Sequence, residues 1–207
     1  LAWPHSPRLT IFMYHRVLQA PNPLLPDEVD AARFEIQMRY LAKNFAVIPL
    51  LDGYRRLQSG TLPPRSVSIT FDDGYADNLT VALPILEKLG LTATVFVAAG
   101  YIDGGCMFND AIAEVIVRTT HSELDLRDIG LEHYDTASIE HRRDAISRIR
   151  KKARFYPPEE RDRLVEHIAK LANVHSLPNN LMLSKDQVIE LSDRGIEIGG
   201  HTVTHPV

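Results

Sequence analysis

Five short β-forming runs, with helical patterns between the earlier ones, constrain this chain more than any other feature. The runs are residues 9–14, 46–50, 66–71, 92–97 and 196–200. Between them, Phe34, Met38, Leu41 and Phe45 recur at helical spacing, and Asp52 can cap a helix running towards Ser59 and Gly60. Residues 78–89 read as a helix that Pro84 bends and Gly90 stops. The run 66–71 alternates, placing Val67, Ile69 and Phe71 on one face. Prolines 21, 23 and 26 mark a loop. Strand, helix, strand with short links demands parallel pairing.

The order breaks at about Tyr101. From there to about Met182 only helices are expected, at 109–119, 139–155 and 158–171. Pro157 and Pro158 ahead of Glu159 and Glu160 make a good helix start. The earlier alternation then resumes. Ser184 with Gln187 forms a capping box, Gly195 stops that helix, and the last strand runs into His201. The chain thus reads as one domain over 1–207 carrying an all-helical insertion at 101–182. That insertion takes 82 of the 207 residues and leaves 125. One βαβ step needs about 30 residues and a closed (β/α) barrel about 250. The expected fold class is therefore α/β, with four or five strands forming an incomplete barrel or a small open sheet. An open edge invites pairing, so self-association is expected there.

Composition excludes several classes. A net charge of −4 gives no general attraction to nucleic acid. No stretch approaches the roughly 20 apolar residues of a membrane-spanning helix. The single cysteine, Cys106, cannot form an intramolecular disulfide, and with no histidine adjoining it in sequence it reads as a bystander. No charged-then-apolar leader is visible, so a cytoplasmic protein is expected, or a cell-envelope protein if a leader was removed. Trp3 reads as an anchor for the terminus.

Two motifs carry chemistry. Thr70-Phe71-Asp72-Asp73-Gly74 ends a strand with adjacent carboxylates, which need a compensating charge, and a metal ion is the usual one. Taken alone, the same string is also a turn whose aspartate caps the next helix. His201-Thr-Val-Thr-His205-Pro206 also follows a strand, and its two imidazoles can converge on one ion. A pair of surface histidines is the competing reading. Gly199 and Gly200 allow close backbone approach, and Thr202 and Thr204 carry hydroxyls able to orient a histidine ring. Both motifs sit at carboxyl ends of strands in one parallel sheet, so they share a rim. One carboxylate with two imidazoles suits zinc or a neighbouring divalent ion, leaving the other carboxylate as a base.

These strings resemble the first two motifs of the polysaccharide deacetylases, carbohydrate esterase family four. Met13-Tyr-His-Arg-Val17 and the strand 92–97 fit that family too, and the insertion resembles a branch associated with cell-surface polysaccharide gene clusters. The likeness covers 9–100 and 183–207 well. It implies a distorted (β/α) barrel and a metal-dependent hydrolase that removes N-acetyl or O-acetyl groups from an acetylated polysaccharide. By this resemblance Asp72 is the general base, and Asp73, His201 and His205 are the metal ligands, with zinc the expected cofactor. Gly200 stands where a serine is common. The family's later motifs, including the histidine that protonates the leaving amine, have no counterpart in these 207 residues. The expectation is accordingly the front part of a deacetylase, binding zinc weakly and turning over little.

Other features stay open. His15 can line the site, brace a ligand or pack into the barrel end. The run 142–154 holds seven basic residues against one acid, and can meet an anionic polymer or lipid head groups, or be a solvated helix face. A non-catalytic metal- and carbohydrate-binding protein of the same fold is the alternative function. A magnesium phosphatase site on Asp72 and Asp73 is disfavoured by the histidine pair.

Overall fold

The computed structural model describes residues 7–205, so Trp3 and Pro206 lie outside the described residues. The chain runs through β1 (Thr10–Tyr14), β2 (Val17–Leu18), β3 (Val29–Asp30), α1 (Ala31–Asn44), β4 (Ala46–Val47), α2 (Leu50–Ser59) and β5 (Ser66–Phe71). A π-helical turn (Asn78–Ala82) leads into α3 (Leu83–Lys88) and β6 (Thr94–Val97). Then come α4 (Phe108–Arg118), β7 (Glu123–Asp125), β8 (His133–Asp135), α5 (Ile139–Ala153) and α6 (Pro158–Leu171). The chain closes with α7 (Lys185–Asp193) and β9 (Glu197–Gly200).

β1, β5, β6 and β9 lie side by side in that order, all parallel, and β4 pairs with the start of β5. β5 is buried along its whole length, on both faces. Its two buried serines are bonded there: Ser66 Oγ donates to Pro63 O and Ser68 Oγ to Ile48 O. The sheet is open. Its β1 edge leaves Ile11, Phe12 and Met13 exposed. The fold is the expected α/β arrangement of an incomplete barrel.

Local chemistry moves several expected boundaries. Pro49 offers no N–H, so the strand expected over 46–50 stops at Val47 and Pro49 becomes the N-cap of α2. Asp52 caps nothing; it lies in the first turn and pairs with Arg56. Asp30 caps α1, accepting from Ala32 and Arg33 N–H. Pro84 also lacks an N–H, and the turn ahead of it widens, Leu83 N–H bonding Asn78 O. The Ser184–Gln187 capping box is present.

The segment 101–182 is mostly helical but not all-helical. β7 and β8 pair antiparallel, Leu124 opposite Tyr134, both buried. Glu-Leu-Asp and His-Tyr-Asp are too short for a period of two to stand out from a loop. The segment has its own core, including Ile112, Ile116, Tyr134, Ile149 and Ile168. A separate core under the sheet is built on Phe34, Phe71, Leu83 and Leu86. A small cluster of Tyr75, Ala98, Met107 and Met182 joins the two where the chain leaves and re-enters the sheet layer.

Phe34 is fully buried, with its ring edge-on to Tyr14 at 5.2 Å and tilted against Phe71 at 5.8 Å. Phe34→Ala should cost about 3–5 kcal/mol in denaturant unfolding. Ile11→Ser on the exposed edge should change stability by less than about 0.5 kcal/mol.

Candidate metal centre and its cleft

β5 carries Asp72 and Asp73 to the rim. Asp72 N–H still continues the ladder, bonding Tyr14 O at 2.8 Å. The chain then turns sharply, with φ of 75° at Asp73 and 84° at Gly74. A side chain at position 74 would meet Val97, its Cβ 3.0 Å from Cγ1 and 3.2 Å from Cα, so glycine is needed for space as well as φ. Asp73 O accepts from Ala98 N–H at 3.0 Å, which fixes the turn against the end of β6.

The histidine loop is fastened to the same strand. His201 N–H bonds Val97 O at 2.9 Å, and Ala99 and Gly100 N–H bond Thr202 O and Val203 O. Thr202 (φ 62°) and His205 (φ 48°) are left-handed, and Thr202 Oγ1 accepts from His205 N–H at 3.1 Å. The Thr202 hydroxyl therefore holds backbone rather than an imidazole ring. Gly199 does serve close approach, since a Cβ there would lie 2.5 Å from the Phe96 ring. At Gly200 a Cβ would meet nothing within 4 Å, so a serine would fit.

These turns bring three side chains together. His201 Nε2 and His205 Nε2 lie 3.4 and 3.2 Å from Asp73 Oδ1, and the three ligand atoms all lie within 4.8 Å of one another. Asp73 Oδ1 is buried without a hydrogen-bond partner. Zinc bonds of about 2.0–2.1 Å at tetrahedral angles separate neighbouring ligand atoms by roughly 3.3–3.4 Å. The spacing and the N,N,O donor set therefore fit one divalent ion, and the orphaned oxygen is what such an ion would satisfy.

Asp72 is half-buried, and its carboxylate has no hydrogen bond or ion pair among the described residues. A cleft of about 1010 Å³ opens beside the centre, lined by Asp73 and His205 but not by Asp72 or His201. His15 lines it as well, and its carbonyl accepts from Asn78 Nδ2 at 2.9 Å.

Sequence reasoning missed the polar cluster behind this rim. Tyr75, buried, donates to Asp110 Oδ2 at 2.9 Å. Arg16 lies over the Tyr75 ring at 5.0 Å and pairs with Asp77 at 2.9 Å. Burial raises the Asp110 carboxyl above the usual range, against the opposing pull of the Tyr75 hydrogen bond and of Arg16 and Arg150. Burial raises Asp77 too, outweighing its pairing with Arg16. Tyr75, Arg16 and Asp77 flank recognisable motifs. Asp110 had no sequence signal, because 35 residues separate it from Tyr75.

The basic run 142–154 divides by direction. Arg142 donates to Thr136 O and to the last carbonyls of α4, at Ile116 O, Val117 O and Thr119 O. Arg148 and Lys152 pair with Glu132. Arg143, Arg150, Lys151 and Arg154 line the cleft. Burial pushes the Cys106 thiol up to about 12, consistent with an inert side chain.

The family model for polysaccharide deacetylase matches residues 59–207. The chain belongs to the polysaccharide deacetylase family. YxkH of Bacillus subtilis (strain 168), a polysaccharide deacetylase by name, is 34% identical over 91 residues, covering 43% of this chain and 31% of its own. The Streptococcus pyogenes deacetylase PplD, solved in complex with acetate, matches with a TM-score of 0.52 at 20% identity, over 96% of this chain and 57% of that one. That likeness shows the deacetylase fold. A de-N-acetylase of Aggregatibacter actinomycetemcomitans matches at 16% identity and a TM-score of 0.48, over 93% and 54%. The chain thus spans about a third of YxkH and just over half of PplD.

His205→Ala and Asp73→Ala should each weaken zinc binding by more than about 100-fold in a competitive chelator titration, beyond the range for outer-shell changes. Gly100→Ala would place a Cβ 2.5 Å from Val203 O. It should weaken zinc binding too, by displacing the histidine loop.

Proposed function

We propose that the rim is the hydrolytic centre of a metal-dependent deacetylase that removes N-acetyl or O-acetyl groups from a polysaccharide or sugar intermediate. The observation that carries this is the buried Asp73 Oδ1, without a hydrogen bond, facing two histidine Nε2 atoms. In this reading 1–207 form one domain, with 101–182 inserted in it.

Asp73, His201 and His205 hold the ion, with zinc favoured by the two imidazoles. When bound, a divalent ion supplies Lewis acidity towards the acetyl carbonyl and the attacking water. Asp72, half-buried and without a partner among the described residues, takes a proton from that water. The water oxygen bonds to the acetyl carbon, the carbon–nitrogen bond breaks, and acetate and a free amine result. The proton held by Asp72 must finally reach the leaving nitrogen. His15, lining the cleft, contacts substrate rather than the ion.

Asp72→Asn should lower turnover of an N-acetylated oligosaccharide by about 10²–10⁴-fold while leaving zinc affinity at the wild-type value. Equal turnover by wild type and variant would remove Asp72 as the base. Zinc binding without turnover by the wild type would favour a carbohydrate-binding role.

A further inference from the structure

The cleft has walls of two origins. His15, Asp73, Tyr75 and His205 come from the sheet rim, whereas Phe108, Asp110 and Arg150 come from the helices of 101–182. That segment therefore does more than decorate the fold: it completes the space in front of the metal centre.

Asp110 is its most telling member. It is 8% exposed, lies in the first turn of α4, and lines the cleft. An acid in a first turn ordinarily complements the helix dipole from the surface; this one is packed against the rim. Oδ2 accepts from the Tyr75 hydroxyl. No hydrogen bond is formed by Oδ1 among the described residues, and Asp110 lines the cleft. Its setting is braced from both sides. Arg16 covers the Tyr75 ring, and Arg150 Nε holds Asn109 O at 2.8 Å beside it.

A carboxyl group in such a wall pairs with a hydroxyl in either protonation state, as acceptor or as donor. Sugar rings present several hydroxyls beside an acetamido group. We propose that Asp110 is a sugar-recognition residue supplied by the insertion, taking a ring hydroxyl of the residue seated next to the Asp73–His201–His205 centre. This rests on the carbohydrate reading above. Tyr75 is a positioning residue that orients the Asp110 carboxyl.

The test uses the full chain and tetra-N-acetylchitotetraose. Binding is followed by calorimetry on chelator-treated protein, and deacetylation is followed separately with zinc. Asp110→Ala should weaken binding at least about tenfold, the loss of a hydrogen bond, with zinc affinity unchanged. Tyr75→Phe should weaken it less, because the carboxyl remains. With zinc, Asp110→Ala should raise KM more than it lowers kcat. Wild-type affinity in Asp110→Ala overturns the proposal, and does so alone if the wild type still deacetylates. A wild type that neither binds nor deacetylates the oligomer overturns both readings. Should Asp110→Ala melt early, Asp110→Leu keeps the approximate volume but cannot hydrogen-bond and is judged the same way: weaker binding sustains the role, and unchanged affinity removes it.

Discussion

A carboxylate oxygen buried without a hydrogen bond is costly, and Asp73 Oδ1 is one. Its neighbours are two imidazole nitrogens at 3.2 and 3.4 Å, close enough to share a cation but not placed to donate hydrogen bonds. A positive charge among the three atoms, whether a metal ion or a proton on an imidazole, would offset that cost. The surrounding backbone is bent to maintain it. Asp73, Thr202 and His205 all hold positive φ, a conformation that non-glycine residues adopt at a cost. Half of the six non-glycine residues with positive φ among the described residues thus lie around one point.

The parallel sheet makes that strain sustainable. Strand ladders continue one residue past their nominal ends, through Asp72 N–H to Tyr14 O and His201 N–H to Val97 O, so both motifs leave the sheet from fixed positions. Further bonds from Ala98, Ala99 and Gly100 then tie Asp73 and the histidine loop to one stretch of chain after β6. Asp73, His201 and His205 are thus held by backbone geometry, and a change at a glycine is felt at all three side chains. Beyond the rim, 101–182 forms a second layer with its own core, joined through the Tyr75–Met182 contact. The cleft exists because these two layers face one another.

Much of this was legible in advance, and the exceptions are instructive. The strand ends at Phe71 and Gly200, the helices from 139 and 158, and the capping box at Ser184 follow from local rules that tertiary contacts leave intact. The strand over 46–50 was cut short by Pro49, a local signal given too little weight. The β7–β8 pair escaped because each strand is three residues long, and only Leu124 packing with Tyr134 in a shared core defines it. The basic run 142–154 looked like one surface, yet Arg142 is consumed by the carbonyls at the end of α4 while Arg143 and Lys151 face the cleft.

Residue order alone was enough to specify the α/β class, the interruption at about 101, and Asp72, Asp73, His201 and His205 as the residues of interest. Those properties depend on hydrophobic period, turn chemistry and short motifs, each confined to a few neighbouring positions. Folding alone decided that Asp73 Oδ1 would be buried between two imidazoles, that Tyr75 would meet Asp110, and that the insertion would wall the cleft. Such contacts join positions 35 to 132 residues apart, and no local pattern encodes which distant side chains a packed interior will bring within hydrogen-bonding reach.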